Sequence, residues 1–211
     1  MANIRKNSMK DQVYEIIKEK ILTGKYDLGQ PINITTLCNE IGISNTPVRE
    51  ALSRLEVEGL VVSDMNKKVR VIDIDDELKQ EIDHFFFTMY VGSYQTCLFQ
   101  QRIDKLIALM EKAIERQEKV LDAKNEMAFA KEAINFDRCF VVATENKRLL
   151  EHHDQLSSIL FLLTRYIHSR KEENREGTLE EHRGILAAVK EGDTTKVQRL
   201  LYAHYNKELN A

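Results

Sequence analysis

Ile43-Ser44-Asn45-Thr46-Pro47-Val48-Arg49-Glu50-Ala51-Leu52-Ser53-Arg54-Leu55-Glu56-Val57-Glu58-Gly59-Leu60-Val61 is the stretch whose reading decides the fold. Val48, Ala51, Leu52 and Leu55 recur at i, i+3, i+4 and i+7, an apolar stripe that predicts a helix packed along one side. Asn45, Thr46, Arg49 and Ser53 share a different, polar side of that helix. Pro47 falls in the first turn, where its missing N–H costs little, and Gly59 stands where a helix stops. A compact polar face carried on a rigid apolar back is what reading base edges in a major groove requires.

The flanking sequence extends the pattern. Ile34 to Ile43 reads as a second short helix broken at Gly42, and helix, Gly-containing turn, helix is a helix-turn-helix order. Beyond the second helix, Leu60 to Ser63 and Val69 to Ile72 are strand-like runs around a polar, basic turn, Asp64 to Lys68. They predict a hairpin, or wing. Upstream, Val13, Ile16, Ile17 and Ile21 predict an amphipathic helix ending near Gly24. Residues from about Lys10 to Ile74 thus form a winged helix-turn-helix module.

Near Asp73 to Glu77 the alternation gives way to long helical periodicity, which divides the chain into residues 1–74 and 75–211. The second part has no Pro, and its glycines are Gly92, Gly177, Gly184 and Gly192. Helices are expected near 76–99, 102–120, 123–144, 147–170, 178–191 and 194–209. The fold class is mainly α: an N-terminal winged helix-turn-helix followed by an all-α helical bundle with room for a ligand.

Three polar residues interrupt apolar stripes in the bundle. Asp137 lies between Ala133 and Phe140; His182 precedes Ile185, Leu186 and Val189; His204 follows Val197, Leu200 and Leu201. All three should point inward, where an unpaired carboxylate or imidazole costs on the order of several kcal/mol. A metal ion, an anionic ligand or a mutual hydrogen bond would each answer that cost.

Composition bounds the partners. Of 211 residues, 43% are hydrophobic and 31% charged, with no low-complexity run, which suits a packed core. No apolar run exceeds the five residues of Ile159 to Leu163, far too short for a membrane span. The first ten residues lack the apolar core of a secretion signal, so a cytoplasmic protein is expected. Cys38, Cys97 and Cys139 fit no disulfide framework, and Cys38 and Cys139 read as buried reduced thiols. Net charge is −3 overall, yet residues 1–74 carry 11 basic against 10 acidic side chains. DNA binding must therefore rest on basic groups placed locally: Arg5, Lys6 and Lys10, then Arg49, then Lys67, Lys68 and Arg70.

From Val13 to Val71 the chain resembles the GntR family of bacterial transcription regulators. The resemblance rests on Ile21-Leu22-Thr23-Gly24-Lys25-Tyr26-Asp27-Leu28-Gly29, the Thr-Pro-Val-Arg-Glu-Ala-Leu core at 46–52, and Leu55 to Val61. The helical remainder looks like the FCD ligand-binding domain of the FadR-type subfamily. The resemblance implies a homodimer on an inverted-repeat DNA operator, regulated by a small carboxylate effector in the bundle. It places DNA contacts at Thr35, Ser44, Asn45, Thr46, Arg49, Asn66 and Lys67. The family often has Arg where this chain has Thr35 and Asn45, so a different operator is implied. Many members hold a divalent metal such as zinc through one Asp and three His. Asp137, His182 and His204 match three of these positions, while Val141 stands where the fourth His would be.

His84, Arg138, Val141 and Arg165 are the expected surroundings of an effector, the two arginines as partners of its carboxylate. His84 could equally pack with Phe85, Phe86 and Phe87. His152, His153 and His168 read as surface or helix-end residues. Two other readings remain: a constitutive architectural DNA-binding dimer without effector, and a helical metal-dependent hydrolase with an accessory winged helix. The sequence has no general base at metal-motif spacing, nucleophile elbow or P-loop, so no enzyme is expected.

Overall fold

The computed structural model describes residues 8–64, 68–121, 126–170 and 175–206. The chain divides into two compact units, Met1–Ile74 and Asp75–Ala211.

In the first unit α1 (Met9–Leu22) opens on a capping box between Ser8 and Asp11. Val13, Tyr14, Ile17 and Ile21 are buried, whereas Ile16 is 38% exposed, so Tyr14 and not Ile16 completes the apolar face. β1 (Pro31–Ile32) leads into α2 (Ile34–Ile41), whose Asn33 cap accepts a 3.0 Å hydrogen bond from Thr36 N–H. Gly42 then adopts φ 73°, a left-handed turn that L side chains resist. That turn launches α3 (Asn45–Val57), and β2 (Val61–Ser63) and β3 (Val69–Val71) follow. The wing is a three-stranded antiparallel sheet of order β1-β3-β2, one strand more than the predicted hairpin. A two-residue strand has no periodicity for sequence reading to find. Arg5, Lys6, Asn66 and Lys67 lie outside the described residues.

The back of α3 is closed. Val48, Ala51, Leu52 and Leu55 are at most 3% exposed, and the helix packs along α1. A polar clamp joins the two helices. Tyr14 Oη donates to Glu58 Oε1 at 2.6 Å, Lys18 Nζ donates to Glu58 Oε2 at 2.8 Å, and the Arg54 guanidinium lies 3.7 Å from the Tyr14 ring centroid. Burial and the Glu58 charge raise the Tyr14 pKa far above the usual phenol range, so it remains a donor.

The second unit is built from α4 (Asp76–Phe99), α5 (Ile103–Lys119), α6 (Glu126–Ala143), α7 (Lys147–Arg170), α8 (Arg175–Glu191) and α9 (Thr194–Tyr205). α8 starts earlier than its expected position because Gly177 sits inside its first turn instead of ending a loop. α6 is central and packs against α4, α5, α7 and α8. Tyr90 and Tyr94 of α4 meet Phe140 of α6 in the core, and buried Phe86 stacks on Tyr90, so the aromatic run of α4 is partly interior. Cys97 and Cys139 are buried, burial pushing the Cys139 thiol up to about 12, but Cys38 is only half-buried.

His153 overturns its surface assignment. It is fully buried, Nε2 lies 3.0 Å from Tyr90 Oη, and Nδ1 lies 3.1 Å from Asp154 Oδ1. Arg138 donates two hydrogen bonds to the same Asp154, at 2.6 and 2.7 Å. His152, next in sequence, is exposed, and the side chain of His168 lies outside the described set.

Two measurements check this packing. Leu55→Ala should cost about 2–5 kcal/mol in denaturant unfolding, whereas Val57→Ala, on the exposed side of α3, should stay within about 0.5 kcal/mol. Desolvation lowers the His153 pKa below its ordinary 6.5, so folding favours the neutral ring. Its contribution is complete above that value and drains as pH falls towards the folded pKa. The unfolding midpoint should thus drop between about pH 7 and pH 5, and His153→Gln should flatten that slope.

Candidate nucleic-acid interface and metal centre

The outer face of α3 presents Asn45, Thr46, Arg49 and Ser53, all exposed. Arg49 takes part in no ion pair among the described residues, which leaves its forked donors available. Ser44 occupies the N-cap of α3 without making the side-chain cap hydrogen bond, and it is exposed at that helix terminus. The Cys38 thiol donates to Asn45 Oδ1 at 3.1 Å, leaving the Asn45 amide N–H₂ as the group on offer. Thr35 is exposed on the first turn of α2, and Arg70 is exposed on β3.

In the second unit α6, α8 and α9 bring Asp137, His182 and His204 together. One ligand atom from each lies within 4.8 Å of the others. Asp137 and His182 are buried, and His204 is nearly so. His182 Nε2 stands 3.9 Å from Asp137 Oδ1, and His204 Nε2 stands 3.9 Å from Asp137 Oδ2. Those separations exceed direct hydrogen bonds and resemble the spacing of donors around a shared cation.

The other ring nitrogens explain why. His182 Nδ1 lies 2.8 Å from Gln117 Oε1, and His204 Nδ1 lies 2.7 Å from Glu181 Oε2. Both partners are acceptors, so each Nδ1 donates, and each Nε2 faces Asp137, where a neutral ring would present its lone pair. Two imidazole Nε2 atoms and a carboxylate thus converge. Metal-ligating histidines are oriented in this way by outer acceptors, and the nitrogen and oxygen donors suit zinc or a similar divalent ion. Phe136 stacks on the His182 ring with centroids 4.1 Å apart, fixing its plane. Val141 is fully buried and cannot ligate, so the cluster has three protein donors among the described residues.

A cavity of about 100 Å³ opens beside the cluster. Asp137, His204, Tyr205, Lys79 and Asp83 supply its polar wall, and Leu160 and Leu163 part of its apolar wall. Lys79 and Asp83, one turn apart on α4, are both about 5% exposed and form an ion pair. Burial raises the Asp83 carboxyl above its usual range against the pull of Lys79. Tyr205 is likewise pushed well up, by burial and then by the Asp137 charge, and stays a neutral donor.

Profiles of known families match both units. The profile of bacterial regulatory proteins of the gntR family matches residues 9–71, and the FCD domain profile matches residues 97–207. The chain is a GntR-family transcription regulator with an FCD domain. Relatives span nearly its whole length. The HTH-type transcriptional regulator YdhC of Bacillus subtilis (strain 168) is 25% identical over 201 residues, covering 93% of this chain and 88% of YdhC. The Uxu operon regulator of Haemophilus influenzae is 25% identical over 226 residues, covering 96% of this chain and 84% of that protein. Two solved structures share the fold. A GntR transcriptional regulator from Rhodococcus sp. RHA1 has TM-score 0.72, 16% identity and 93% coverage of both chains. E. coli McbR/YncC has TM-score 0.64 and 22% identity, covering 94% of this chain and 93% of its own. These families and relatives are regulators, not enzymes. No described helix is long and apolar enough to cross a membrane.

Of the expected effector surroundings in this GntR regulator, His84, Arg138, Val141 and Arg165, none lines this cavity. Arg138 is engaged by Asp154, and His84 is exposed. Helix periodicity alone cannot say which of two neighbouring faces meets a void. The residues missed, Lys79, Asp83 and Gln117, carry the signal that singled out Asp137: each is a polar side chain within a buried stripe.

Zinc added to the chelator-stripped chain should bind one per chain and raise its melting temperature, by an amount set by the ratio of free zinc to Kd. His182→Ala with His204→Ala should remove that rise, and Gln117→Leu should weaken zinc by about 10–100-fold. An undiminished rise in the double variant would refute the assignment.

Proposed function

We propose that this regulator is a homodimer that binds an inverted-repeat operator through α3 of each copy, and that a small carboxylate held beside Asp137, His182 and His204 modulates it. The observation that carries the effector half is the convergence of two imidazole Nε2 atoms and a carboxylate on the edge of a cavity. Bound there, a divalent cation would supply positive charge and open positions for an acid's oxygens. His182 and His204 are held ready by Gln117 and Glu181, and Asp137 balances the charge. A cavity of about 100 Å³ favours a small acid over a fatty acyl thioester, since roughly 150 Å³ takes benzene.

On the DNA side Arg49 is the base-reading residue, Thr46, Asn45, Ser44 and Thr35 contribute base-edge and phosphate contacts, and the wing carrying Asn66 and Lys67 adds phosphate contacts. With two Arg positions of the family replaced, the preferred operator should contain fewer guanines opposed to arginine. The effector shifts operator affinity only by its differential affinity for the two conformations of the regulator.

The test uses an operator selected from random duplexes by the wild-type chain. Arg49→Ala should weaken that duplex by about 5–150-fold, the worth of one bidentate base contact, with an unchanged melting temperature. Unaltered affinity would contradict the assigned reading face.

A further inference from the structure

Cys38 of α2 is tied twice to the turn and helix that follow it. Its carbonyl accepts from Gly42 N–H at 2.9 Å and from Ile43 N–H at 3.1 Å, which closes the turn between α2 and α3. Its thiol donates to Asn45 Oδ1 at 3.1 Å. Asn45 is the first residue of α3 and is exposed, four residues ahead of Arg49 and so on the same side of the helix. The N-terminal residues of such a helix are the ones that reach base edges. The Asn45 N–H₂ makes no hydrogen bond among the described residues, whereas its oxygen is tied to α2.

That asymmetry matters because an amide has one acceptor end and one donor end. Asparagine reads adenine by using both at once: the oxygen accepts from N6–H₂ while the nitrogen donates to N7. Both ends must then face one base edge together. A thiol 3.1 Å from Oδ1 holds the acceptor end towards α2 and leaves the donor end on offer. A donor alone meets two acceptors on guanine, O6 and N7; on adenine it meets N7 beside a second donor.

We propose that Cys38 is a specificity-determining residue for operator binding: by holding Asn45 Oδ1 it makes Asn45 a reader of guanine, where the side chain alone would read adenine. This rests on the base contact of Asn45 proposed above and names what that contact reads. Cys38 acts through Asn45 and is a positioning residue. A hydroxyl in its place also donates and keeps the arrangement; a methyl releases it.

The test is selection from random duplexes by full-length wild type, Asn45→Ala, Cys38→Ala and Cys38→Ser. The base pair at which Asn45→Ala becomes indifferent is the one Asn45 reads. Wild type should select G·C there. Cys38→Ala should move the affinity ratio at that pair towards A·T by about 5–150-fold, the worth of one bidentate contact, with the other selected positions unchanged. Cys38→Ser should keep G·C. A merely structural role for Cys38 would weaken all positions alike. Selection of A·T by wild type overturns the inference. So does a Cys38→Ala chain that keeps the wild-type preference or loses it everywhere, or a Cys38→Ser chain that loses G·C. In each case the Asn45 contact still stands. If Asn45→Ala leaves every position unchanged, Asn45 reads no base, and the contact and the inference fall together. Should Cys38→Ala not fold, the wild-type choice at the Asn45 pair and its retention in Cys38→Ser decide.

Discussion

Two imidazole rings and a carboxylate meet at one point inside the bundle, where α6, α8 and α9 converge. Gln117 and Glu181 set the orientation of the two rings, because each accepts a hydrogen bond from the far nitrogen of its histidine. The near nitrogens thereby face Asp137, at separations too long for direct hydrogen bonds. The bundle is organised around this constraint. α6 carries the carboxylate from its central position, α8 and α9 bring the histidines, and α5 reaches in with a fully buried glutamine. With Val141 where the resemblance implies a fourth ligand, the cluster has three protein donors among the described residues, which would leave more of a bound cation's coordination sphere to a ligand.

The first unit solves a different problem: presenting polar groups without letting them move. Four side chains of α3 are sunk against α1, and the Tyr14, Glu58, Lys18 and Arg54 clamp ties the far end of the helix to the same partner. Rigidity here substitutes for bulk charge. A module with nearly balanced charge gains little non-specific attraction to DNA, so a few well-placed contacts must supply specificity.

Much of this was legible in the sequence. The apolar stripe of α3, the Gly42 turn and the proline-free second half dictated both units, because helix periodicity is strong over such lengths. Asp137, His182 and His204 were visible as polar breaks in apolar stripes. The same signal was present at Gln117, Lys79 and Asp83, where charged or amide side chains on long helices are so commonly solvated that the stripe was easily passed over. β1 was too short to show a period. His153 was misplaced because two adjacent histidines must face apart, and only tertiary packing determines which of them turns inward. Arg138 looked like an anion receptor until its neighbour on α7, Asp154, came within reach. Contacts between helices distant in sequence are what a single sequence does not encode locally.

The most direct measurement is anomalous diffraction at the zinc edge from crystals of the zinc-loaded chain. One peak bonded to His182 Nε2, His204 Nε2 and an Asp137 oxygen at about 2.0–2.2 Å is expected, with both Nδ1 contacts retained. Zinc found only on surface carboxylates, with the two histidines turned to hydrogen-bond Asp137 directly, would contradict the metal centre on which the effector reading stands.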